Sequence, residues 1–423
     1  MRAKSPTRRH LTTLIAAAAF APACAPMAQL RRRPRAPDLA ALVAHGGEAP
    51  DPSLMGAGLM VCSGADLVEQ AYAAGSARLS GAAMSVDAPL RIASVSKFVC
   101  ALAAMRLAET GVLDLDADAG PLVGFRLRNP AFPDRSISLR ALLSHTSSLR
   151  DGDKYWADFP DPLESLFGGV DATQRWGAEP PGFFTYCNLN YGLVAQAMEN
   201  ATRERFDLLM RRLVFAPLGL ECGYNWSGVS VARRAAGATL YRRTGPDGET
   251  PDPKGRWTPQ VDEAPEGSAA PVYRARTNAP PVTTYAIGSN GSLFSPQGGL
   301  RLSVRDLARI GVDVLRGLSG RSAIFSPAAL APLVNPVWRT NGRNGDEENG
   351  LYRAYGAGAH LLDKQVFGHF GEAYGLRSAL LIDPEREAVC AYAINGFASP
   401  PSAGVARAER ALIDSAGFAH AFA

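Results

Sequence analysis

Leu90-Arg91-Ile92-Ala93-Ser94-Val95-Ser96-Lys97 sets a serine three residues before a lysine at the head of an apolar run. Val95, Phe98, Val99, Leu102, Met105 and Leu107 leave almost no polar face, and Gly111 follows as a stop. The pattern predicts a buried helix with Ser94 at its N-terminus. Residues three apart are neighbours on a helix, so Ser94 and Lys97 share a face. Only five of the 44 Lys and Arg residues are lysine, and the one task a guanidinium cannot perform is to release its proton. A solvated lysine is neutral in roughly one in 2,500 molecules at pH 7, so burial in this helix is also what would depress its pKa. A neutral amine beside a hydroxyl, at a helix end that favours negative charge, suits an activated nucleophile.

Working outward, Gly56 to Cys62 reads as the strand that opens the fold, and Ser138 as the cap of a short helix through Leu143. A helix follows from about Leu189 to Asn200, and Ser303-Val304-Arg305-Asp306 is a capping-box pattern for another through about Leu315. Tyr352 to Leu362, Leu376 to Ile382 and Ala388 to Ile394 read as antiparallel meander strands with turns such as Asp383-Pro384-Glu385, and Ser402 to Ser415 as a final helix. Residues 242–290 shift to Pro, Gly and charge without periodicity, the mark of a covering lid or an insertion. No repeat or low-complexity tract interrupts this order.

With 423 residues and 47% hydrophobic content the chain can bury a substantial core. Much of the +4 net charge comes from Arg2, Lys4, Arg8, Arg9, Arg31, Arg32, Arg33 and Arg35, and the near-neutral remainder argues against nucleic acid as a partner. Residues 1–28 read as an export signal: basic through His10, apolar from Leu11 to Ala23, with small residues around Ala21-Pro22-Ala23. The apolar run is too short to span a bilayer. Thr7-Arg8-Arg9-His10-Leu11 resembles a twin-arginine signal, which points to a periplasmic protein; Cys24 after Ala23 offers an alternative lipid anchor and the one route to a membrane. Residues 29–40 form an Arg/Pro-rich linker, and 41–423 a single folded domain. Cys62, Cys100, Cys187, Cys222 and Cys390 are odd in number and scattered, as expected of reduced, buried thiols. The six His give no metal-ligand spacing, so neither a metal nor a cofactor is expected.

Two further motifs carry chemistry. Tyr186-Cys187-Asn188 combines a phenol that can relay a proton, if a neighbouring cation lowers its pKa, with an amide that can orient a carbonyl or the lysine. Tyr186 between Phe184 and Tyr191 equally suits core packing. Gly368-His369-Phe370-Gly371-Glu372 precedes the strand at Leu376, where backbone N–H groups can form half of an oxyanion hole with the Ser94 N–H as the other half. His369 there either donates to a substrate or caps a turn.

Together and in this order, the three motifs resemble the serine β-lactamase and penicillin-binding-protein-like hydrolase family, in particular its class C and esterase-like branch. Leu142-Leu143-Ser144-His145-Thr146-Ser147, Phe215-Ala216-Pro217-Leu218-Gly219 and Gly298-Gly299-Leu300 add to the likeness, which runs from about Leu90 to Asn395. The resemblance implies an α/β (α+β) fold, an antiparallel sheet flanked by helices and built from both chain ends, with a mostly helical region inserted. It implies Ser94 as the acylated nucleophile, Lys97 as its activating amine and Tyr186 as the group that passes the proton to the leaving group. Asn188, His369 and Gly371 would contact substrate, with the Glu372 N–H as an oxyanion donor; His145 matches a structural turn. Phe370 and His369 replace the family's usual hydroxyl and permanent cation, which weakens recognition of a carboxylate at that position. An esterase or amidase on a less acidic small ester, amide or peptide substrate is therefore expected. The alternatives are a DD-peptidase or β-lactamase, and a non-catalytic receptor for cell-wall fragments.

Overall fold

The first strand, β1 (Gly56–Ser63), is buried on both sides, and its side chains alternate between two cores. Ala57, Leu59 and Val61 join Leu412 and Ile413 of the C-terminal helix, whereas Met60 and Cys62 join Leu307, Ile310 and Val314 of the Val304–Leu318 helix. A period of two with both phases apolar makes a sheet covered by helices on each face. The computed structural model describes residues 37–46, 53–64, 66–168, 170–262, 274–348, 350–398 and 404–422. The export signal, Cys24 and most of the basic linker lie outside them; the unit that holds all described residues begins at Pro34, and its first helix at Leu39.

In chain order, β1 is followed by β2 (Val68–Gly75), β3 (Leu90–Arg91), β4 (Gly223–Tyr224), β5 (Leu240–Thr244), β6 (Arg256–Val261) and β7 (Leu300–Leu302). The C-terminal part supplies β8 (Trp338–Arg339), β9 (Ala354–Tyr355), β10 (His360–Leu361), β11 (Phe367–Ala373), β12 (Leu376–Asp383) and β13 (Ala388–Asn395). Eight of these form one antiparallel sheet in the order β2-β1-β13-β12-β11-β10-β9-β8, so the two chain ends meet at β1 and β13. The mostly helical stretch that begins at Ser94 lies between them in sequence, as the fold expectation requires. Gly311 allows the Val304–Leu318 helix to lie close on the sheet, since a Cβ there would sit 2.7 Å from Val389 Cγ1 and 2.8 Å from Leu380 Cδ1.

The predicted elements at Gly56, Ser94, Ser138, Leu189 and Ser303 are present, and both serine caps at Ser138 and Ser303 accept the expected backbone N–H. Three differences have identifiable causes. The stretch 352–362 is a tight reversal between β9 and β10 rather than one strand, because Gly358 is left-handed (φ +105°) and the Gly356 N–H bonds back to Ala359 O at 2.9 Å. The final helix starts at Arg407, where the Glu409 carboxylate accepts from the Ala406 N–H at 2.9 Å. Residues 242–290 are not without regular structure: β5 and β6 pair as a hairpin. Asp247 holds its turn by accepting from the N–H groups of Glu249 and Thr250.

Candidate active site

The helix Val95–Glu109 has no polar face, and Lys97 in its first turn is wholly buried. Its ammonium head is nevertheless fully partnered: Nζ lies 3.0 Å from Ser94 Oγ, 2.7 Å from Asn188 Oδ1 and 2.8 Å from Gln297 O. Burial lowers the Lys97 pKa to about 7; Asp151 opposes that shift and Arg91 adds to it. Two of the three partners are amide oxygens, which only accept. A neutral amine has two N–H donors for them and one lone pair, which is left for the Ser94 hydroxyl. The Asn188 amide cannot flip freely, because its Nδ2 donates to Asp151 Oδ2 at 2.7 Å.

Asp151 is the residue sequence reading missed. Its other oxygen accepts from the Leu189 N–H at 2.9 Å and from the Cys187 thiol at 3.4 Å, so one carboxylate fixes the start of the Leu189–Thr202 helix and aims Asn188 at Lys97. The signal available was a single Asp after Ser147-Ser148-Leu149-Arg150, with nothing in the local sequence to couple it to Asn188. Gln297 was equally hidden, because it acts through its backbone carbonyl.

Tyr186 is half-buried, within hydrogen-bonding reach of the Ser94 hydroxyl, and its ring centroid lies 4.8 Å from Lys97 Nζ. The sequence argument asked a cation to lower its pKa, yet burial dominates and raises it, so the phenol is protonated in the free protein. His145 stacks under Tyr186 at 4.3 Å between centroids and accepts from the Cys187 N–H at 3.1 Å, which makes it a support for the tyrosine turn.

β11 forms the opposite wall. Gly371 is buried so closely against the helix N-terminus that a Cβ would lie 2.6 Å from Ile92 O, 2.5 Å from Ser378 Oγ and 3.2 Å from the Ser94 backbone N. Only glycine lets the strand approach the Ser94 N–H this way, as a two-donor oxyanion site needs. Glu372 lines the same cavity, its carboxylate 3.0 Å from Arg377. His369 points elsewhere: it is fully buried, with Nε2 2.8 Å from the Tyr355 hydroxyl and Nδ1 2.6 Å from Phe370 O, and burial holds its pKa well below the usual value. Phe370 takes its place on the wall. Ala93, just before Ser94, is left-handed at φ +48°, a strained backbone position of the kind that accumulates at functional sites.

These groups converge on a cavity of about 670 Å³ lined by Ser94, Tyr186, Asn188, Gly371 and Glu372. Among the described residues no three His, Cys, Asp or Glu side chains converge into a set that could hold a metal ion. All five cysteines after residue 37 are free and buried.

Comparison with known proteins agrees with this picture. The beta-lactamase family profile matches residues 39–415. Penicillin-binding protein 4 of Amycolatopsis lactamdurans is 30% identical over 234 residues, which cover 55% of this chain and 58% of that protein. Esterase EstB of Burkholderia gladioli is 31% identical over 169 residues, 40% of this chain and 36% of the esterase. The matches therefore span less than two thirds of these relatives' own length. The D-amino acid amidase of Ochrobactrum anthropi SV3, complexed with L-phenylalanine amide, superposes with a TM-score of 0.62 at 19% identity, over 86% of this chain and 94% of the amidase.

Proposed function

This chain belongs to the beta-lactamase family, and on that premise we propose that it is a serine hydrolase that forms an acyl-enzyme on Ser94 from an ester or amide substrate. The observation that carries the reading is the Lys97 amine, buried and facing two obligate acceptors so that its lone pair falls to Ser94. Lys97 takes the hydroxyl proton as Ser94 Oγ attacks the substrate carbonyl carbon. The Ser94 N–H and Glu372 N–H receive the developing oxyanion. The protonated Tyr186 phenol gives its proton to the leaving group and recovers one from the Lys97 ammonium; water then releases the acyl group through the same relay. Phe370 on the cavity wall, in place of a hydroxyl, supports an esterase or amidase over a peptidase that grips a carboxylate at this position. The export signal read in residues 1–28 supports a site of action in the periplasm.

The pH dependence tests the assignment. Since the neutral amine is the base, kcat/KM for an uncharged p-nitrophenyl ester rises with pH through an acid limb centred near 7, the Lys97 value. Asp151 carries the negative charge that favours the ammonium, so Asp151→Asn moves this limb to lower pH. It also lowers kcat about tenfold by loosening Asn188. An acid limb that stays in place in Asp151→Asn, or one absent in wild type, contradicts Lys97 as the base.

A further inference from the structure

Three arginines, Arg91, Arg242 and Arg377, line the cavity, and only one has acidic partners. Arg377 is shared between Glu372 at 3.0 Å and Glu409 at 3.7 Å. The guanidinium groups of Arg91 and Arg242 have no hydrogen-bond or ion-pair partner among the described residues, and the Nε of each is buried without one. The acid nearest in effect to Arg91, Asp262, is already committed: both its oxygens lie 3.1 Å from Arg301, and it also accepts from Trp226 Nε1 at 2.9 Å. Arg301 itself is almost fully buried and adds repulsion at Arg91.

Fold geometry explains how two guanidinium groups without a hydrogen-bond acceptor come to line one cavity. Arg91 is the last residue of β3, three before the nucleophile; its guanidinium lies 4.9 Å from the Tyr374 ring centroid, and a Cβ on Gly298 would be 3.3 Å from its NH2. Gly298 follows Gln297, whose carbonyl holds Lys97. Arg242 is on β5, which runs against the turn after Tyr374, where a Cβ on Gly375 would lie 2.1 Å from Tyr241 O. Tyr374, with Arg91 over its ring, lines the same cavity as Arg242 and Ser94. A guanidinium stays charged at neutral pH, and one held partly out of water without an acceptor is costly unless a ligand supplies the acceptor.

We propose that Arg91 and Arg242 form an anion subsite of the active-site cavity, and that the substrate is an ester or amide carrying a carboxylate that docks there. The proposal rests on the hydrolase reading above and refines it: the carboxylate is gripped at Arg91 and Arg242 and not at the His369-Phe370-Gly371 strand. It also reverses the expectation of a less acidic substrate, which considered only that strand.

Two matched ester pairs test it: p-nitrophenyl butyrate against p-nitrophenyl hydrogen succinate, and phenyl acetate against 3-acetoxybenzoate. These place the carboxylate on either side of the scissile bond. In wild type the anionic member of at least one pair has a kcat/KM about tenfold or more above its neutral partner, the gain expected of charge-assisted hydrogen bonds. That ratio falls toward one in Arg91→Gln and in Arg242→Gln, and Arg91→Lys restores part of it. Equal rates within both wild-type pairs, or ratios untouched in a folded variant, overturn the subsite. If wild type cleaves none of the four esters, the hydrolase reading fails on its own. Calorimetry with succinate then decides the subsite: binding to wild type that is lost in Arg242→Gln supports it, and no binding to wild type overturns it.

Discussion

Lys97→Met lowers kcat/KM for a p-nitrophenyl ester by roughly 10³-fold to 10⁴-fold while the protein stays folded. Methionine matches the length and apolar character of the lysine stem but has no lone pair for Ser94 Oγ and no proton for Tyr186. Both halves of the relay are lost at once. Stability should move the other way. The folded pKa of about 7 lies below the 10.5 of the free side chain, so the unfolded chain binds the extra proton between those values. Wild-type stability therefore rises with pH across that window, and below it the burial cost is complete, on the order of 5 kcal/mol. Losing the donors to Asn188 Oδ1 and Gln297 O offsets part of the gain on substitution. Urea midpoints should show Lys97→Met at least as stable as wild type at pH 7, with that advantage shrinking at pH 10. A variant that keeps more than a tenth of wild-type activity shows that another group is the base.

Ser94→Ala removes the atom that is acylated, and its expected loss is about 10⁴-fold or more in kcat, leaving what the oxyanion donors and binding supply. Packing near residue 94 should be little disturbed, because the Ser94 side chain makes no capping hydrogen bond to its helix. Combining Ser94→Ala with Lys97→Met should cost hardly more than either alone, since the two act as one unit. Additive losses in the double variant would mean that the two residues work in separate steps.

The parts of the fold governed by local chemistry could be read before any coordinates: Ser138 and Ser303 accept from their own helices, and the all-apolar run after Ser94 is a helix buried all round. The β9–β10 reversal escaped because its cause is tertiary; a side chain at Gly358 would meet Ala101, in the Val95–Glu109 helix far away in sequence. The hairpin of β5 and β6 escaped because Pro251 and Pro253 hide its period behind turn chemistry. In the site, Ser94 and Lys97 were legible because their relation is one helical turn. Asp151 was not, because it reaches Asn188 only through the folded chain. His369 shows the opposite error: strand alternation puts Phe370 on the cavity wall and His369 against Tyr355, and the motif alone does not give that phase.

The central claim is that Ser94 is the activated nucleophile, and the intact mass of the mature protein after exposure to a fluorophosphonate tests it most directly. Wild type should gain a single phosphonyl adduct that maps to Ser94, faster above pH 7 than below it, and Ser94→Ala should gain none. Phosphonylation that persists in Ser94→Ala, or an unlabelled wild type, would contradict the account.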